Sequence, residues 1–368
     1  MIKRVLIIGG YGNFGKFISA DLVCADNIQL IISGRNQDKA KTFAEKLVTR
    51  RHPEIAVVDI YDGLKQSLMT IQPDIVVHTS GPYQSQSYVV AQACIDQGCH
   101  YIDLADARDF VVGITELHEA AKGRGVFLCS GASSVPCLSS AIVNEYKSQF
   151  KRIETLEYGI VIAQSAERGV ATTAAVLSYA GKPFKTLIDG RMRDIYGWQD
   201  LKWRNFWQLN RRALGNCDIP DLDLFPKAYP DLKTIRFQAG LGLNLLQMAL
   251  WVLSVLVRCK VLPRLEPMTS YLLRISRLFD YFGSHDSGFY MTMGGLNNAG
   301  QPRKIVFDLI ARQGDGSYIP AIPAILIVKK LVAGEIDQSG AYPCMGFVSL
   351  REYVAALAKL NIQWRTSS

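Results

Sequence analysis

Val5-Leu6-Ile7-Ile8-Gly9-Gly10-Tyr11-Gly12-Asn13-Phe14-Gly15 is the stretch whose reading decides the fold. An apolar run passes straight into glycines at 10, 12 and 15, the spacing G-x-G-x-x-G, and a helix-like segment, Phe14 to Val23, follows. Each glycine has a physical task. Gly10 lets the chain turn out of the strand, Gly12 lets the backbone approach a pyrophosphate, and Gly15 lets the helix pack close to the sheet. The phosphate would rest on N–H groups at the positive end of that helix. Gly10, Gly12, Asn13, Phe14 and Gly15 are therefore the expected phosphate contacts. The motif alone is a weak signal, and the strand before it and helix after it are what make dinucleotide binding the preferred reading over a plain tight turn.

The next strand, Leu30 to Ser33, completes a βαβ unit, and its end decides the cofactor. A carboxylate there would take the ribose 2′-OH of NAD(H), but the chain reads Ser33-Gly34-Arg35-Asn36. Arg35 can pair with a 2′-phosphate, with Ser33 and Asn36 as neutral donors beside Gly34. NADP(H) is the expected cofactor and NAD(H) the lesser alternative. Further strands are expected at Ile55–Asp59, Ile75–Thr79, His100–Leu104 and Val126–Cys129, with helices between them. Asp59, at the end of the third strand, joins the expected cofactor contacts. So do Ser80, Gly81 and Pro82, which end the fourth strand at the carboxyl edge, where cofactor and substrate meet. Strands alternating with helices predict an α/β fold, a Rossmann doubly wound parallel sheet, with a second α+β domain after it.

The segments GGYGNFG, ISGRNQDKA, HTSGPYQ, YIDLADARDF and SGASSVP stand in this order along the first 145 residues. Together they resemble the NAD(P)-binding domain of the saccharopine dehydrogenase-like oxidoreductases. Glu167-Arg168-Gly169-Val170-Ala171-Thr172 and Gly340-Ala341-Tyr342-Pro343-Cys344-Met345-Gly346 are similar to segments of the bacterial members. The resemblance implies a Rossmann domain paired with a second domain, and a closing segment that returns to the first. It also implies hydride transfer, on substrates that differ between members from amino-acid adducts to unsaturated lipids. The expected division is 1–145 with 340–368 for the Rossmann domain, and 146–339 for a substrate and dimerisation domain.

Hydride transfer needs geometry and, where a carbonyl or imine reacts, a proton donor within reach. The strand ends offer Tyr83, Asp103, Asp106 and Arg108 as catalytic candidates. Asp103 has an alternative role holding a loop, Asp106 and Arg108 could form a local ion pair, and Arg108 could grip a substrate anion. His78 reads as a core histidine. His100 and His118 have no ligand spacing with a cysteine pair, so no metal site is expected.

Composition sets the limits. The chain has 368 residues, 49% hydrophobic and 20% charged, with 41 basic against 33 acidic residues. The net charge of +8 suits an anionic cofactor, a phospholipid surface, or nothing specific. Eight cysteines without C-x-x-C spacing read as reduced thiols. The first strand starts almost at residue 1, so no targeting segment is expected, and the location expected is the cytoplasm, with the inner face of the membrane as a variant.

Two stretches of the second half stand out. Arg191 to Arg212 interleaves six basic residues with five aromatics. That pattern can bind single-stranded nucleic acid or an anionic amphiphile, or cover a cleft, and the absence of any nucleic-acid motif argues against the first. Phe237 to Val257 is 21 residues without a formal charge. It is read first as a buried or dimer-interface helix, then as a peripheral membrane contact, and last as a span. An amphipathic helix, Met268 to Phe282, follows. Asp218 to Asp223 reads as a solvated acidic loop, and Leu350 to Leu360 as a last helix packed on the first domain. The partners expected are a small-molecule or lipid-like substrate, a second copy of the chain, a membrane surface, and no nucleic acid. The leading function is an NADP(H)-dependent oxidoreductase acting on a small or amphipathic anionic substrate. The alternative is a non-catalytic nucleotide-binding scaffold or redox sensor associated with a membrane.

Overall fold

The computed structural model describes residues 2–164, 166 and 168–368, and Glu167 of the quoted Glu167–Thr172 segment lies outside the described residues. The chain divides into two compact units, residues 1–141 with 318–353, and residues 142–317 with 354–368.

The first unit is a parallel sheet. Its strands are β1 (Lys3–Ile8), β2 (Ile28–Gly34), β3 (Glu54–Val57), β4 (Ile75–His78), β5 (His100–Asp103) and β6 (Phe127–Ser130). They lie in the order β3-β2-β1-β4-β5-β6, and the returning strand Gly340–Pro343 pairs in parallel beside β6. Near-continuous apolar burial in β1, β2 and β4 is what a parallel sheet covered on both faces requires. The order reverses between β1 and β4, and open sheets of this kind bind ligands at such a switch point. Helices α1 (Gly15–Leu22), α2 (Gln37–Ala44), α3 (Leu64–Ile71), α4 (Val89–Gln97), α5 (Arg108–Gly113) and α6 (His118–Arg124) supply the crossovers. Helix Ile322–Ala333 buries Ile325, Ile327, Val328 and Leu331 in the same unit. Among the described residues, Asp315–Ala333 is the one helical stretch long and apolar enough to cross a bilayer, and this burial makes it a core element.

Helix α7 (Ser139–Tyr146) carries the chain into the second unit. There β7 (Arg152–Val161), β8 (Pro183–Ile188), β9 (Arg191–Tyr196), β10 (Lys202–Asn205), β11 (Arg211–Asn216), β12 (Thr234–Gly240), β13 (Ser287–Leu296) and β14 (Pro302–Ala311) form a mixed sheet and a separate β8-β9 hairpin. The large sheet runs β10-β11-β12-β7-β13-β14 and closes on strand Ile362–Ser367. Helices α8 (Val170–Ser178), α9 (Asp221–Ala228), α10 (Asn244–Arg258) and α11 (Thr269–Arg277) complete the unit.

Several expectations need correction. Phe237–Val257 is not one helix. Phe237 to Gly240 ends β12, paired in parallel with β7, and the helix begins only at Asn244. The helix expected over Leu350–Leu360 stops at Ala356, and the closing strand after it pairs with β14, so residues 354–368 join the second unit. The segment that returns to the first unit starts at Tyr318, well before 340. Asp221 is not in a solvated loop. It is fully buried in the first turn of α9 and accepts the Tyr158 hydroxyl at 2.6 Å. Part of the basic and aromatic run packs within the unit, with Arg204 over Tyr290 at 3.6 Å and Arg211 over Trp203 at 5.2 Å, while Arg191, Arg193, Lys202, Trp203 and Arg211 are exposed.

Candidate functional site

The site in the first unit starts at the end of β1. Ile8 lies opposite Ser33 of β2 on one side and His78 of β4 on the other. Beyond it, the N–H groups of Gly9 and Gly10 both donate to Ser33 O, at 2.9 and 3.0 Å. Thr79 Oγ1 donates to Ile8 O at 2.9 Å and to Gly9 O at 3.1 Å. The turn is thereby tied to both neighbouring strands. The left-handed residue is Gly9, at φ +82, and not Gly10, which was expected to make the turn. Gly10 instead packs tightly, and its carbonyl accepts the buried Ser19 hydroxyl at 2.8 Å. A Cβ on Gly15 would lie 2.1 Å from Gly9 O, so only glycine lets α1 start this close to the turn.

These residues fit a pyrophosphate. Helix α1 has no side-chain cap at Phe14 and no acidic residue in its first turn, so its positive end is left for an anion. Asn13 and Gly12 complete the loop before it. At the end of β2, Ser33 is buried and donates to Ile7 O at 3.0 Å, so its hydroxyl belongs to the sheet. Gly34 is buried, and Arg35 and Asn36 are exposed. Asn36 caps α2 by accepting Lys39 N at 2.9 Å, and its own N–H donates to Tyr11 Oη at 3.0 Å. Tyr11 is a site residue that the sequence reading missed. Its position between the first two motif glycines was the available signal. Asp59 follows β3, and its Oδ1 accepts Tyr61 N at 3.0 Å, a local turn contact.

The Ser80-Gly81-Pro82 loop after β4 is clamped by Gln86, another missed residue, whose Nε2 donates to Ser80 O at 2.7 Å and Pro82 O at 3.1 Å. Below it lies a buried polar cluster. Tyr83 is buried and donates to His78 O at 2.8 Å. Burial, with the Asp103 charge nearby, raises its pKa well above 10.0, which keeps the phenol protonated. His78 faces the Tyr101 hydroxyl at 3.2 Å, and burial lowers its pKa to about 4. Asp103 is fully buried. Its Oδ1 accepts Ala105 N at 2.9 Å, Gly131 N at 2.8 Å and Ser130 Oγ at 3.0 Å. Burial raises its pKa to about 6 against those hydrogen bonds. This carboxylate therefore ties the β5 and β6 loops together, the role weighed for it as an alternative. Asp106 is exposed in the loop before α5, where Gln84 Nε2 donates to it at 3.3 Å, and Arg108 opens α5 half-buried. His100 accepts Phe127 N at 3.0 Å and His118 lies 3.3 Å from Ala341 O, so both brace the sheet. Among the described residues no group of three or more His, Cys, Asp or Glu could hold a metal.

Comparison with known proteins agrees with this geometry. The sequence model of the saccharopine dehydrogenase NADP binding domain matches residues 5–129. The first unit is a saccharopine dehydrogenase-type NADP-binding domain. The human protein named saccharopine dehydrogenase-like oxidoreductase is 22% identical over 250 residues, covering 62% of this chain and 52% of that relative. The chain thus spans about half the length of the curated relatives it matches. A Caenorhabditis elegans protein named lipid droplet localized protein is 21% identical over 143 residues, 36% of this chain and 34% of that one. The apo saccharopine dehydrogenase (L-Glu forming) of Saccharomyces cerevisiae covers both chains fully with a TM-score of 0.71 at 12% identity, a likeness of fold. The NADP-binding domain is continued past the matched residues by strand Gly340–Pro343.

The second unit holds a cavity of about 180 Å³ between α8, α10 and α11. Arg168, two residues before α8, is engaged with Ser276 and Asp280. Gln164 Nε2 joins them, donating to Asp280 Oδ1 at 2.8 Å and Ser276 O at 3.1 Å. The residues Tyr271, Leu278, Tyr281 and Phe282 around α11 are exposed, at 61%, 76%, 92% and 72%.

Proposed function

We propose that the chain is an NADP(H)-dependent oxidoreductase that moves hydride to or from a small or amphipathic anionic substrate. The observation that carries this is the glycine turn at the switch point, with an uncapped helix beyond it and the exposed Arg35 at the end of β2. When bound, the cofactor supplies the hydride, and the chain supplies orientation. Gly10, Gly12, Asn13, Phe14 and Gly15 hold the pyrophosphate. Arg35 takes the 2′-phosphate beside Gly34 and Asn36, and Ser33 shapes the strand end from within the sheet. Ser80, Gly81 and Pro82 border the nicotinamide. Asp106 and Arg108 are the groups assigned to the substrate, while Asp103 and Tyr83 position the loops that carry them. Fluorescence titration with NADPH and NADH tests the reading. Saturable NADPH binding supports it, and equally weak binding of both at millimolar concentration overturns it.

The exposed apolar residues of α10 and α11 support peripheral contact with an anionic lipid surface. Residues 244–282 hold five cations, Arg258, Lys260, Arg264, Arg274 and Arg277, against the carboxylates Glu266 and Asp280. Both carboxylates are already paired, with Lys182 and Arg168. The name of the nematode relative agrees with such a contact. Flotation with phosphatidylserine vesicles is expected to carry the protein, and a protein left behind removes this part. We carry a homodimer and a cytoplasmic location as further parts of the reading, and a monomer in analytical ultracentrifugation removes the former. One observation favours the second reading, a non-catalytic scaffold or sensor. The Tyr83 hydroxyl, the most conventional proton donor present, is engaged with a backbone carbonyl. Steady NADPH binding without consumption across carbonyl, imine and enoyl compounds would favour it.

A further inference from the structure

The cavity in the second unit has one chemical character. Val176 and Leu177 of α8, Leu250 and Leu253 of α10, and Leu272 and Leu273 of α11 are among the apolar residues of its wall. Thr172 and Thr173 of α8 line it too, and its other polar groups form one cluster. Arg168 donates to Ser276 and Asp280, and Gln164 donates to Asp280 and the Ser276 carbonyl. Most of the lining is apolar, so the space favours an apolar occupant. At about 180 Å³ it exceeds the roughly 150 Å³ apolar cavities known to stay dry and to bind small hydrocarbons.

The outer surface of the same helices is apolar too. Leu245, Met248 and Val252 recur along α10 at helical spacing and are exposed. Around α11, Tyr271, Leu278, Tyr281 and Phe282 are exposed as well. The basic residues around it are not balanced by free carboxylates. An apolar cavity, an apolar rim and a cationic surround match the three parts of an amphiphile at an anionic interface.

We propose that the cavity between α8, α10 and α11 binds the aliphatic chain of a long-chain fatty acid or a related single-chain amphiphile. The inference rests on the amphipathic-substrate reading above and names its ligand class. It assigns the rim residues to entry and the leucines of the wall to the bound chain. Burial of each methylene is worth about 0.8 kcal/mol, so the part of the chain that enters the cavity is held with the headgroup in solvent.

The test uses the full chain and cis-parinaric acid, a fatty acid whose fluorescence rises in apolar surroundings. Saturable binding at one site is expected, and Val176→Trp, which fills the cavity, should weaken it at least tenfold. Ala249→Leu narrows the cavity from its more exposed side and should weaken binding less. It serves in place of the first variant if Val176→Trp fails to fold. Tyr281→Ser alters only the rim and should leave binding of the free fatty acid unchanged while reducing capture from phosphatidylserine vesicles. NADPH titration of each protein runs alongside. Intact NADPH binding with no fatty acid binding, or fatty acid binding indifferent to both cavity variants, overturns the inference. Loss of NADPH binding in the wild type instead overturns the oxidoreductase reading.

Discussion

The glycine turn of the first unit and the α10–α11 face of the second treat their polar and apolar groups in opposite ways. Around Gly9 to Gly15, side-chain and backbone partners are engaged on both sides by β2 and β4, and the helix end is left to an anion. Around α10 and α11, the polar groups of Gln164, Arg168, Ser276 and Asp280 close on one another, and large apolar side chains are left in solvent. A rigid backbone cradle suits a ligand common to many enzymes. An apolar surface with a cavity behind it suits a ligand that is read by shape and hydrophobicity. One unit thus specifies what is held in common, and the other what is particular to this chain.

Substitutions should separate the two regions by size of effect. Gly15→Ala puts a methyl carbon against Gly9 O and should weaken NADPH binding by about 3 kcal/mol or more, read by titration. A variant that binds NADPH normally would mean that the turn does not hold the phosphate. Asp103→Ala leaves two buried backbone N–H groups without their acceptor. It should lower stability by about 3 kcal/mol in urea denaturation.

The same cluster should give a pH signature. His78 stays neutral in the fold down to about 4, while the unfolded chain takes up its proton at 6.5. Below pH 6.5 the unfolded state binds more protons, so this group costs stability as pH falls to about 4. Asp103 has the opposite sign. The fold keeps its proton up to about 6 while the unfolded chain loses it at 3.8, so stability falls as pH rises across that window. His78→Gln should therefore remove a loss on the order of 3 kcal/mol between neutral and acid pH, and Asp103→Asn should remove the opposing one. Urea midpoints at stepped pH that keep the wild-type slope in both variants would contradict these assignments. The smallest effect belongs to the other region. Phe282→Ser removes an exposed ring and should change stability by no more than about 0.5 kcal/mol while lowering vesicle binding.

The first unit was legible in the sequence because local and global signals agree there. The first, second, fourth and sixth apolar runs ended in glycine, serine or proline, and the helices between were of the right length for crossovers. The second unit was harder for identifiable reasons. Phe237 to Val257 is uncharged throughout, and hydropathy does not distinguish a buried strand end from a helix. Gly240 and Gly242 were the punctuation that separates β12 from α10. Ile362 to Ser367 is an edge strand with an exposed Trp364, too polar to stand out as a strand. Asp221 looked like one of a solvated trio because its partner, Tyr158, is 63 positions away. At the site, the residue types were readable but their directions were not. Nothing in the sequence says that Tyr83 turns its hydroxyl onto His78 O, or that Tyr11 reaches Asn36 N.

The central claim is that the end of β2 selects NADP(H) through the exposed Arg35. Paired titrations of the wild type and Arg35→Ala with NADPH and NADH test it most directly. NADPH binding should weaken by about 1–3 kcal/mol, roughly 5- to 150-fold, with NADH binding unchanged. An equal change for both cofactors, or none for NADPH, would contradict the account.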